Sequence, residues 1–154
     1  MNDWMMLGFG VLLTLGTGIF VASEFSMVNL ERSDLEARAE RGETGLTQTI
    51  RALKKTSTHL SGAQLGITLT TMLTGFLAEP ALTSLLLVPM SDLGLSVEAT
   101  HTLSLLLTMV IATLFSTLIG ELVPKKLALT MPLAVNRFVV NFQLAFTWVF
   151  SLAI

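Results

Sequence analysis

Lysine and arginine are confined to two short stretches of this chain, and long apolar runs fill the rest. All nine basic residues, Arg32, Arg38, Arg41, Arg51, Lys54, Lys55, Lys125, Lys126 and Arg137, lie within 32–55 or 125–137. The runs left free are roughly 20 residues or longer, the length a helix needs to cross a hydrocarbon core of about 30 Å. Only 13% of the 154 residues are charged, with 52% hydrophobic, against about 25% charged in an ordinary soluble domain. These patterns predict an all-α, multi-pass membrane protein.

The placement of charge predicts orientation. Cytoplasmic loops are enriched in Lys and Arg, so 31–58 and 124–154 are expected on the cytoplasmic side. The N-terminus and the connection between Pro80 and His101, whose charges are Asp92 and Glu98, are expected outside. The start of the chain has no basic n-region and its first run is long for a signal peptide. There is no cysteine, hence no disulfide framework and no thiolate metal site. A basic patch interleaved with aromatics, the footprint of nucleic-acid binding, is lacking.

Spans are expected at about 4–30, 59–79 and 102–123. Between the first two, acids and arginines alternate over 31–58, predicting a helical extension, a turn and a second helix on a solvated, salt-bridged face. Gly62 and Gly66 form a G-x-x-x-G pair suited to close helix packing. Gln64, Thr68 and Thr71 form a polar stripe at i, i+4 and i+7. Pro80 is expected to end the second span, leaving Ala81–Met90 as a separate interfacial or re-entrant piece. Pro124 is expected to end the third, with Leu127–Pro132 a short connection. The run from Val135 to Ile154 counts naively as a fourth span, although Asn136, Arg137, Asn141 and Gln143 interrupt it; a continuation beyond Ile154 is expected.

Polar groups recur at one depth. At 1.5 Å of rise per residue, Glu24 lies about 12 Å from Arg32, Gln64 about 14 Å from Lys55, and Glu121 about 6 Å from Lys125. Intramembrane acids are costly and are functional candidates by default. The donor atoms at this depth are all oxygens: carboxylates, hydroxyls, an amide and backbone carbonyls. Such a set suits magnesium, calcium, manganese or sodium rather than zinc or copper. Protonated carboxyls bonded across helices are the competing reading. No histidine pair or nucleophile–base set lies at membrane depth, which argues against an enzyme.

Phe20–Val21–Ala22–Ser23–Glu24–Phe25–Ser26 resembles the first-helix signature of the CorC/cyclin M (HlyC/CorC, hemolysin-like) magnesium transporters. Leu60–Ser61, Gln64 and Gly66–Ile67–Thr68–Leu69 are similar to its second-helix motif. Gly75, Glu79–Pro80, Gly120–Glu121 and Pro124–Lys125 are similar to later motifs, in order along the chain. The resemblance implies a homodimeric transmembrane transport domain over 1–154, in the plasma (inner) membrane, with three spanning helices per subunit. It also implies cytosol-side juxtamembrane helices over 127–154, and a cytosolic CBS-pair region after 154. It implies magnesium export coupled to sodium entry, with Mg2+ bound between the three helices near the cytoplasmic face and Na+ as the second candidate ion. Its metal ligands fall on Ser23, Ser26, Gly66, Thr68 and Glu121. Glu24 joins them as a ligand, a sodium partner or a packing acid. Animal members carry Gly-Asn where this chain has Gly66–Ile67, so a side-chain ligand is missing there; the site is weaker, uses the Gly66 carbonyl, or takes another cation. The alternative from another class is a non-transporting membrane anchor and dimerisation module for a cytosolic sensory domain.

Overall fold

Asn2 caps the first helix, its Oδ1 accepting the Met5 N–H at 2.8 Å, and satisfies a backbone donor that would otherwise be orphaned. The structure, a computed structural model, describes residues 2–151. Helix α1 covers Asp3–Val28, α2 Arg32–Glu40, α3 Thr47–Leu53 and α4 Thr56–Ser91. Then come α5 Val97–Phe115, a π-helical segment Ser116–Leu122, α6 Val123–Thr130 and α7 Pro132–Val149. The described residues form helices and turns, with no strand among them.

Among the described residues, three segments are long and apolar enough to cross a membrane: α1, α4, and the combined α5–π–α6 segment Val97–Thr130. The chain is a multi-pass membrane protein whose surroundings are lipid. Its large apolar residues accordingly face outward. Leu12, Met72, Phe76, Leu106 and Leu114 are exposed, while the seams between spans bury Thr14, Thr17, Ser23, Ser26, Thr83, Ser104 and Thr108. Lipid gives apolar side chains no reason to hide, so close packing and interhelical hydrogen bonds hold the spans together. A water-type apolar cluster forms at the basic end, where Met27 of α1 meets Leu35, Leu46, Ala52, Leu53 and Val140.

Two proline expectations are corrected. The second span does not stop near Glu79: α4 continues through Pro80 and Pro89 to Ser91, 36 residues in all, about 54 Å at the helical rise. Ala81–Met90 is therefore the end of a helix and not a separate piece. Proline removes one hydrogen bond from the ladder, and membrane helices tolerate that because neighbours can serve the freed groups. Across this half, the Thr83 hydroxyl donates to Thr108 Oγ1 at 2.8 Å and Thr108 donates to the Ser104 carbonyl at 2.9 Å, tying α4 to α5. Nor does the third span end at Pro124. The proline sits in the first turn of α6, directly after the π-helical segment, and the helix runs on over most of the expected Leu127–Pro132 connection.

Helix α7 resolves the naive fourth span. Its buried residues are Asn136, Val139, Val140, Gln143 and Thr147, one stripe at helical spacing. Phe138, Trp148 and Val149 point outward. This polar-in, apolar-out helix packs on α1, α3, α4 and α6 and is not among the three span-length segments. Arg137 beside the stripe donates to the Thr44 carbonyl at 3.2 Å, which holds α7 to the loop between α2 and α3. Residues 152–154 of the expected run lie outside the described residues. In the charged loop, Arg32–Glu36 (3.6 Å) and Arg38–Asp34 (3.4 Å) pair along exposed α2, each worth about 0.3–0.5 kcal/mol.

Candidate functional site

The basic-end half of α1 is the strip on which the other helices converge. Close approach needs small residues, and the α1–α4 crossing shows why: a Cβ on Gly66 would lie 2.5 Å from the Phe20 ring. Gly62, Ala63 and Gly66 are buried, and one turn on, the Thr70 and Thr17 hydroxyls meet at 2.5 Å. One turn the other way, Gln64 Nε2 donates to Glu24 Oε1 at 2.7 Å.

The third helix meets the same strip through its π-helical segment. A Cβ on Gly18 would lie 3.0 Å from Pro124 Cγ and 3.3 Å from the Ile119 carbonyl oxygen. Gly120 of this segment packs against Thr14 and Thr17. A proline has no N–H for the preceding turn, and a π-turn is a frequent mark of function. The break therefore sets loosened backbone carbonyls against α1 one residue from Glu121. The ammonium of Lys125 lies 4.9 Å from the centre of the Phe25 ring, at cation–π distance.

Ser23 and Ser26 are fully enclosed, at 1% and 0% exposure. The hydrogen-bond partner of Ser23 Oγ is Met27 Sδ at 4.0 Å, a weak acceptor. Ser26 Oγ donates to the Ser23 carbonyl at 3.0 Å and accepts from Asn136 Nδ2 at 3.0 Å. The Asn136 Oδ1 atom is buried without a partner, a cost of about 1–3 kcal/mol.

Other expected residues stand differently. Glu24 is half-buried and engaged by Gln64. The side of Gly66 that would take a Cβ is filled by Phe20. Thr68 and Thr71 are exposed, so the stripe with Gln64 does not line the α1–α4 seam. Glycine size chose that face, and Thr70 is the threonine that turns inward. Glu121 is exposed and forms no ion pair among the described residues. Nowhere among the described residues do three His, Cys, Asp or Glu side chains converge. The donors gathered on α1 are thus hydroxyl, amide and carbonyl oxygens with one carboxylate.

Sequence reasoning missed the inward face of α7. Asn136 reaches Ser26, and Gln143 Nε2 donates to the His59 carbonyl and to Thr147 Oγ1, both at 3.0 Å. His59 Nδ1 lies 2.8 Å from that same Thr147 oxygen. The seven-residue spacing of Asn136 and Gln143 was the available signal, since it places both on one helix face.

Three spans joined by small and hydroxyl residues define a membrane domain of the polytopic helical class. The family model for the Cyclin M transmembrane N-terminal domain matches residues 8–154, and the chain belongs to that family. It is 45% identical over 143 residues, 92% of its length, to UPF0053 protein MT1890 of Mycobacterium tuberculosis (strain CDC 1551 / Oshkosh), covering 31% of that protein. It is 37% identical over 120 residues, 78% of its length, to UPF0053 protein YhdT of Bacillus subtilis (strain 168), covering 26% of it. With UPF0053 protein sll0260 of Synechocystis sp. (strain ATCC 27184 / PCC 6803 / Kazusa) it shares 32% identity over 120 residues, 78% of the chain and 27% of that protein. The chain thus spans under a third of these relatives' length.

Proposed function

We propose that this domain exports a divalent cation, magnesium, in exchange for sodium, through an oxygen site on α1 at the basic end, which faces the cytoplasm. The observation that carries the reading is the buried Ser23–Ser26 pair. Two enclosed hydroxyls, one with only a distant sulfur partner, lie on the strip that meets both Gln64–Glu24 and the π-helical break before Glu121. Magnesium wants six hard oxygens at about 2.0–2.1 Å and gives up water reluctantly. Several helices must therefore supply donors together.

In this conformation Thr68 and Glu121 are outside such a shell. Binding would require the third helix to turn Glu121 toward α1, and the π-helical segment is the place where its ladder is already loosened. Toward the other end, α1, α4 and α5 enclose an apolar crevice of about 200 Å³ lined by Leu7, Gly10, Thr14, Ala78, Leu82 and Phe115. A hydrated cation would not pass it, so release on the far side requires those helices to part. Exposed Thr68 and Thr71 present hydroxyls on the protomer's outer surface, which supports a homodimer that covers them.

The second reading is a membrane anchor without transport. It is favoured by two packing facts: Phe20 already fills the space over Gly66, and Gln64 already occupies Glu24. Magnesium efflux from loaded vesicles decides between them. Transport predicts loss of efflux in Ser23→Ala and Glu121→Gln with folding intact, whereas unchanged efflux in both variants removes the site.

A further inference from the structure

We infer that Asn136 Oδ1 is a further ligand for the cation, carried into the site by α7. The inference rests on the proposed oxygen site around Ser23 and Ser26. The orientation of the amide follows from the hydrogen bonds. Ser26 spends its one proton on the Ser23 carbonyl at 3.0 Å, so toward Asn136 it is an acceptor and the amide must present its NH2 group. That contact is 3.0 Å. The amide oxygen, on the same carbon, then has no donor within reach, and the residue is 0% exposed.

A buried amide oxygen with no hydrogen bond is uncommon and calls for an explanation. A packing role alone would be served by leucine or by a paired amide. A hard cation explains both ends of the side chain: the NH2 group is fixed by Ser26, and the free oxygen belongs to the ligand class that magnesium and calcium take. Beside it are Ser26 Oγ, which keeps one lone pair after its bond to Asn136, and, three residues back on α1, the Ser23 hydroxyl, whose hydrogen-bond partner is Met27 Sδ at 4.0 Å. Three oxygens with spare acceptor capacity thus come from two elements, and α7 supplies the one that the three spans do not.

The test is thermal unfolding of the intact purified protein titrated with magnesium chloride, for wild type, Asn136→Asp and Asn136→Leu. A ligand that binds the folded state raises Tm as its concentration passes Kd. Asn136→Asp keeps an oxygen, adds charge and loses the NH2 donor. It is expected to shift the magnesium midpoint severalfold lower, and Asn136→Leu to shift it about tenfold or more higher. A midpoint that stays put or rises in Asn136→Asp overturns the assignment, since a role confined to donating to Ser26 would be damaged by that change. The aspartate result decides even if the leucine variant fails to fold. If wild type itself shows no magnesium-dependent rise, the parent site falls and this ligand with it; a responsive wild type with an unimproved Asn136→Asp removes the ligand alone.

Discussion

Gln64 of α4 donates to Glu24 of α1 across 2.7 Å, so the two polar residues expected at matching depth are each other's partners. Interhelical hydrogen bonds in membranes average about 0.6 kcal/mol and reach about 1.7, because the separated helices also find partners. A double-mutant cycle on Glu24→Leu and Gln64→Leu, read by thermal unfolding in detergent, is expected to give a coupling in that range. A coupling near zero would mean that the pair is incidental.

Gly66 carries the α1–α4 crossing. Since a Cβ there would meet the Phe20 ring at 2.5 Å, Gly66→Ala is expected to cost about 1–3 kcal/mol by overpacking. Phe20→Leu made in the same chain should restore part of the loss. Gly8, whose Cβ would meet nothing within 4 Å, is the control: Gly8→Ala should leave Tm unchanged or slightly raised.

Glu121 separates function from stability. Its side chain is exposed and unpaired in the described structure, so Glu121→Gln is expected to change stability by less than about 0.5 kcal/mol. Efflux should nevertheless fall at least tenfold. A large drop in Tm with efflux lost in proportion would make Glu121 structural.

Gln143 anchors α7 to the start of α4 through the His59 carbonyl and Thr147. Gln143→Ala leaves those buried acceptors short of a donor, at a cost of about 1–3 kcal/mol. Arg137→Ala, one turn and a half away, should cost under about 1 kcal/mol. Its ion pair with Glu43 is 3.8 Å long and both side chains are over 40% exposed, the kind of surface pair that contributes little. Equal losses in the two variants would contradict this ordering.

Much of the architecture was legible because lipid imposes simple rules. Apolar runs without lysine or arginine became α1, α4 and the third span, and the mixed-charge stretch became α2 and α3. The proline positions were less legible. Pro80 and Pro124 read as helix ends, yet both lie inside continuous helical segments, since a membrane span tolerates a missing hydrogen bond where a soluble helix usually stops. The polar stripe Gln64–Thr68–Thr71 was legible as a pattern, but not which of its members reaches α1. On α4 it competes with Gly62–Gly66–Thr70, and the smaller residues won the α1 contact because they let the backbones approach.

The amino-acid sequence by itself determined the class: a chain this poor in charge, with its basic residues gathered in two places, has to place three helices in lipid. Charge at membrane depth also marked Glu121 as a candidate, and the family resemblance marked Ser23 and Ser26. Only tertiary structure decided which of them are enclosed. Asn136 is more than a hundred positions from Ser26, and nothing local to either residue specifies their contact. It arises because α7 turns its polar stripe into the bundle, the arrangement that gives the buried NH2 groups of Asn136 and Gln143 acceptors where the surroundings offer no water.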